Sequence, residues 1–163
     1  MNTLYVRART YVQNDSMALN MFQRPGPIPI AVWDTLICSP LPYYEVDDIV
    51  RAIYPDRSDV ESIQDSLSYG AAHADWLSCR NTFNPDLRLV STTGDRTATL
   101  IFTRIDSLLV PNLYVMGAYL YQNKDKLASL QEIAASRPLG LIYFFVFDKQ
   151  LVPRKIIVEP LGE

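Results

Sequence analysis

One imidazole (His73), two thiols (Cys38 and Cys79) and a short acidic run are the groups in this sequence from which chemistry could be built. A hydrolytic triad would have to use His73 as its base, and no Gly-x-Ser-x-Gly turn accompanies it to present a serine. A lone His on a helix flank reads instead as a surface or interface residue. Asp34, Glu45, Asp47 and Asp48 lie close enough in sequence to hold a divalent ion through oxygen ligands, yet acids at the start of a helix are also what the helix dipole favours. Two Cys and one His fall short of a four-ligand zinc site and of a disulfide framework, so both thiols are expected to be reduced and buried. The six glycines are scattered, whereas a loop that cradles phosphate needs several together so that backbone amides can approach the anion. The expectation is therefore no metal, no cofactor and no assignable catalytic residue.

What the sequence offers in place of catalysis is material for contact surfaces. It holds eleven Arg against four Lys, with ten Tyr, two Trp and four Met, and Tyr, Trp, Met and Arg are enriched, and Lys depleted, in the cores of protein interfaces. Two stretches concentrate these residues. Residues 58 to about 80 read as a helix whose core stripe is Val60, Ile63, Leu67, Ala71 and Ala74. Nearly opposite that stripe stand Tyr69, His73, Trp76 and Arg80, which have the composition of a binding hot spot. The alternative is a helix enclosed by the fold, with Trp76 packed beneath the proline-rich segment. The second stretch, Thr3 to Gln13, alternates as a half-buried strand with Leu4, Val6, Ala8 and Val12 inward. That pattern turns Tyr5, Arg7, Arg9 and Tyr11 outward, where they form either a solvated face or a binding surface.

The elements that must position these residues follow from punctuation and periodicity. Leu139 to Phe147 is the longest apolar run and reads as a strand buried on both faces. Asp15 caps a short helical turn in which Met17, Ala18, Met21 and Phe22 share a side. Pro25, Pro27, Pro29, Pro40 and Pro42 make the next segment extended and irregular, with room for an edge strand between Ile30 and Cys38. Val46, Ile49, Val50 and Ile53 mark one helix, ended by Pro55, and Ser58 with Glu61 forms the capping box of the next. Leu87 to Val90 and Thr97 to Ile105 are expected to be strands joined by a turn at Gly94, with Leu113 to Tyr121 an interior strand. A helix bearing Leu127, Leu130, Ile133 and Ala134 would then make a right-handed parallel crossover into the central run. The turn at Asp148 leads to a last strand from Leu151 to Val158, where Pro153 requires an edge or a strand start.

One string resembles a known family. Arg137-Pro138-Leu139-Gly140, following a helix and leading to Arg154 and Glu159, is similar to the Pro-Leu-Gly stretch of chorismate lyases. The resemblance spans roughly the last third of the chain and does not extend to that family's final strands and their catalytic Glu. It implies a closed pocket beside Pro138 to Gly140, with Arg154 holding a carboxylate, in an enzyme that releases pyruvate from chorismate.

Taken together, residues 1–163 are expected to form a single α+β domain, with a mixed, mostly antiparallel sheet of five to seven strands and three or four helices. The net charge of −3 disfavours nucleic acid, because phosphate binding needs a positive surface. No apolar segment approaches the roughly 18 to 20 residues of a spanning helix, and Arg7 and Arg9 stand where a signal peptide would be apolar, so no membrane partner and a cytoplasmic location are expected. The leading functional expectation is a non-enzymatic protein–protein interaction module, of the kind found among small viral, phage or bacterial accessory and assembly proteins. Its partner would be another protein or a second copy of itself, with the chorismate-lyase-like enzyme as the alternative.

Overall fold

The apolar run from Leu139 becomes β6 (Gly140–Asp148), in which all residues except Ile142 are buried. The computed structural model describes residues 2–38, 79–92, 98–105, 113–122 and 139–161. Within them β1 (Ile30–Val32), β4 (Ala98–Phe102), β5 (Leu113–Gln122), β6 and β7 (Pro153–Leu161) form one sheet in the order β1-β4-β5-β6-β7. Every pairing is antiparallel except that of β1 with β4. A separate ribbon pairs β2 (Thr35–Leu36) with β3 (Thr82–Phe83). The mixed, mostly antiparallel α+β architecture is thus as expected. The helices expected at residues 45–54 and 123–138, and all but the last residues of the one at 58–80, lie outside the described residues.

Side-chain alternation along the register divides the sheet into two faces. On one, Leu100, Phe102, Met116, Leu120, Tyr143 and Phe145 join a single apolar cluster that also takes in Leu4, Tyr5, Ala8 and Val12. On the other, Ile101, Val115, Phe144 and Val146 are buried as well. β6 is therefore enclosed on both sides, as its unbroken apolar composition requires.

Residues 2–14 depart from the sequence reading. They form α1 (Asn2–Asn14), not a strand. The buried positions Leu4, Tyr5, Ala8 and Val12 follow helical spacing, and Val6, expected inward, is 39% exposed. Tyr5 is 4% exposed, its ring 4.9 Å from that of Phe102. A helix here covers the sheet with one apolar stripe, and that packing outweighs the strand preference of its Val, Thr and Tyr residues. Asp15 caps α2 (Ser16–Met21) as expected, its carboxylate accepting from Ala18 N–H; Ala18 and Phe22 are buried, and Met17 is exposed.

Three further expectations are corrected. Pro85–Val90 is a 3-10 helix, not a strand: the Asn84 side chain accepts from Asp86 N–H and Pro85 opens the first turn, an N-terminal cap that buries Leu87 and Val90. The chain between β5 and β6 makes no parallel crossover, since these strands are antiparallel neighbours over their whole length. Cys38 and Cys79 are neither reduced nor fully buried; they are joined in a disulfide across 41 residues of sequence. One Cys lies just beyond β2 and the other just before β3, whose antiparallel register brings these ends together. The ribbon is further tied by Asn81, whose Oδ1 accepts from Cys38 N–H at 3.2 Å, and by Arg104, whose Nη1 lies 3.5 Å from Cys79 Sγ.

Pro153 begins β7, which is the outer strand at its end of the sheet, in keeping with the missing proline donor. The β6–β7 connection is built on Asp148. Its Oδ1 accepts from the amides of Gln150 (3.0 Å) and Val152 (2.9 Å), and its Oδ2 accepts from Arg154 Nε at 3.0 Å. The tight connection holds Leu151 at φ 63°, a left-handed conformation that is unfavourable for a non-glycine residue.

Candidate binding groove

Between α1 and the β6–β7 end of the sheet lies an open groove of about 400 Å³. The helix contributes Val6 and Tyr11 as one wall; Phe145 and Phe147 of β6 form the floor; Pro153 and Ile156 of β7 form the other side. The floor is part of an aromatic ladder: Tyr143, Phe145 and Phe147 stack along β6 with ring centroids 5.9 and 6.0 Å apart. Tyr11 meets it edge-on, 5.9 Å from Phe145 and 6.3 Å from Tyr143, the arrangement that sets a ring's positive edge against a neighbour's π face.

Polar groups border the groove. Arg7 and Thr10 lie along it on α1. Arg7 donates from Nη1 to the carbonyl of Leu151, fastening the helix to the strained β6–β7 connection. Tyr143 donates its hydroxyl to Asp15 Oδ2 at 3.0 Å, which satisfies the polar end of a ring otherwise in the core. Burial raises the Tyr143 phenol above its usual range, and the negative charge of Asp15 and the hydrogen bond to it push the same way. The Tyr11 phenol is raised by burial and then by Asp15. Both therefore keep their protons near neutral pH. The groove can hold aromatic or aliphatic side chains and offers them a phenol and a guanidinium at its margin.

The residues singled out in the sequence are dispersed. Tyr69, His73 and Trp76 lie outside the described residues. Arg80 is exposed and donates from Nη1 to the Cys79 carbonyl at 2.9 Å; residues 79 and 80 are not helical, so the helix expected to run to about residue 80 does not include them. Tyr5, Arg7 and Arg9 share no face, because α1 is helical: Tyr5 is in the core, Arg7 is exposed at the groove, and Arg9 is partly buried with its Nε lacking a hydrogen-bond partner. Asp34 is engaged by Arg88, whose Nε lies 2.9 Å from Oδ2; Glu45, Asp47 and Asp48 are outside the described residues. Among those described, no three His, Cys, Asp or Glu side chains are grouped to hold a metal ion.

Among the described residues, Gly140 and Arg154, two of those named by the lyase resemblance, are not brought together. Gly140 pairs with Leu161 at one end of the β6–β7 ladder, and Arg154 sits beside Val146 and Phe147 near the other. At about 3.3 Å per residue the two ends are on the order of 20 Å apart. Arg154 is moreover held by Asp148. The groove's one signal in the sequence is the aromatic alternation Tyr143, Phe145, Phe147, which does not by itself say which segment lies across it. No known protein family, no curated protein and no solved structure matches the chain.

Proposed function

We propose that this protein is a non-enzymatic interaction module that receives aromatic or aliphatic side chains of a partner protein in the groove between α1 and β7. The observation that carries this reading is the groove's makeup: a floor of stacked Phe, a wall containing Tyr11, and Arg7 at the margin. Large aromatics with Arg beside them are the residue types that dominate binding energy at protein interfaces. A net charge of −3 supports a protein over a nucleic-acid partner. No described helix is long and apolar enough to cross a membrane. The Cys38–Cys79 disulfide weighs against the cytoplasmic location expected from sequence, because such bonds persist mainly in oxidising compartments.

The test is selection from a displayed random-peptide library, with a Tyr11→Arg protein as the counter-selecting bait. Selected peptides should carry bulky apolar residues, and when titrated into the isotopically labelled chain they should shift the resonances of Val6, Tyr11 and Ile156 first. Binders that shift only residues remote from the groove, or that bind the Tyr11→Arg protein equally well, would refute the assignment.

A further inference from the structure

β7 is the end strand of the sheet among the described residues, and the orientation of its outer edge can be derived from the ladder. Asp148 donates its N–H to Val152 O on the β7 side, and the Leu139 carbonyl accepts from Gln122 N–H on the β5 side. Even-numbered residues of β6 therefore direct their backbone groups toward β7. Their register partners Ile157, Glu159 and Leu161 point back at β6. The N–H and C=O groups of Ile156 and Val158 consequently face outward, and among the described residues no strand lies beyond them. Pro160, with no N–H to offer, has its outward-facing position on this same edge, and Pro153 begins the strand.

We infer that β7 pairs antiparallel with β7 of a second copy of this chain, about a twofold axis at Ile157. This refines the interaction reading above and rests on it. In that register Ile156 lies opposite the partner's Val158, and the two exchange their outward-facing hydrogen bonds. Lys155 and Glu159 are each two residues from Ile157, so each Lys155 meets the partner's Glu159 in a non-hydrogen-bonded pair, where side chains approach most closely. Both are exposed and lie on the same face of the strand. The pairing is self-complementary in charge, as an isologous interface requires. The prolines near each end of β7 limit how far a ladder can extend and so disfavour open-ended strand addition. Ile156 and Val158, both half-buried, would gain each other's counterparts as neighbours on the groove face. The two grooves would then open toward a shared floor, each with its own α1 as a wall.

The experiment measures the mass of the intact chain in solution across a concentration series, by light scattering or sedimentation. The expected result is a species of twice the 18.5 kDa chain mass. Lys155→Glu and Glu159→Lys should each raise the dimer dissociation constant roughly tenfold or more, because each places like charges opposite one another at two symmetric sites. The double variant K155E/E159K restores opposite charges across the axis and should return the constant to near the native value. A chain that stays monomeric at every concentration overturns the inference, as does a dimer indifferent to the single changes or a double variant that fails to recover. Peptide binding to the groove by a monomeric chain would leave the interaction reading standing while removing this partner; a recovered dimer that binds no peptide would do the reverse.

Discussion

Exchanging the roles of two adjacent residues gives the sharpest test of the fold at the N-terminus. A strand through residues 3–13 would put Val6 in the core and Tyr5 in solvent; α1 does the opposite, with Tyr5 4% and Val6 39% exposed. Tyr5→Ala removes a ring packed 4.9 Å from Phe102 under the helix, and truncating a buried aromatic costs about 3 to 5 kcal/mol, including the cavity left behind. Val6→Ala removes two methyl groups from a side chain already partly in water and should cost under about 1 kcal/mol. Against a total stability of about 5 to 15 kcal/mol, the first change moves a urea midpoint far more than the second. Paired denaturant melts, accepted only where the slope of free energy against urea is unchanged, measure both. A Val6→Ala loss equal to or larger than that of Tyr5→Ala would refute the helical face and the groove, since Val6 forms part of the groove's wall.

The disulfide closes a loop of 41 residues, and chain-entropy reasoning gives it roughly 4 kcal/mol at 25 °C; Cys38→Ser, or reduction of the native protein, should lower the melting midpoint accordingly, and alkylatable thiols in the protein as purified without reductant would show that the bond had not formed. Burial pushes the Tyr5 phenol up to about 12 from its ordinary value of 10.0, with the Arg104 charge pulling the other way. Below about pH 10 the phenol is protonated in both states; between 10 and 12 the unfolded chain releases the proton while the folded chain keeps it, so stability falls across that window. The melting temperature should fall more steeply over this range in the native protein than in Tyr5→Phe, and parallel curves would contradict a buried, neutral Tyr5.

What the sequence conveyed depended on how local the signal was. The both-faces burial of β6, the interior position of β5, the cap at Asp15 and the strand start at Pro153 each rest on neighbouring residues, and each is in the structure. α1 is ambiguous in sequence because alternation and helical spacing share Leu4, Ala8 and Val12; only Tyr5 against Val6 separates them, and a Tyr side chain suits core and surface alike. The 3-10 helix was legible in Asn84-Pro85-Asp86, but the branched residues after it carried more weight. Other features depend on long-range pairing that periodicity does not encode: the direct β5–β6 contact, the disulfide set by the β2–β3 register, and a groove whose walls come from opposite ends of the chain.

The position of α1 also has a consequence for synthesis on the ribosome. The helix leaves the exit tunnel well before the sheet it covers: the rings against which Tyr11 packs, Tyr143 and Phe145, are added more than a hundred residues later. At about 5 to 20 residues per second this interval is on the order of ten seconds. A helix of 13 residues is marginal on its own in water, so through that time its apolar stripe has no native surface to cover and is open to capture by chaperones. A nascent chain arrested before β6 should therefore carry an unprotected, protease-sensitive α1 segment, and protection there should arrive abruptly once the aromatic ladder has emerged.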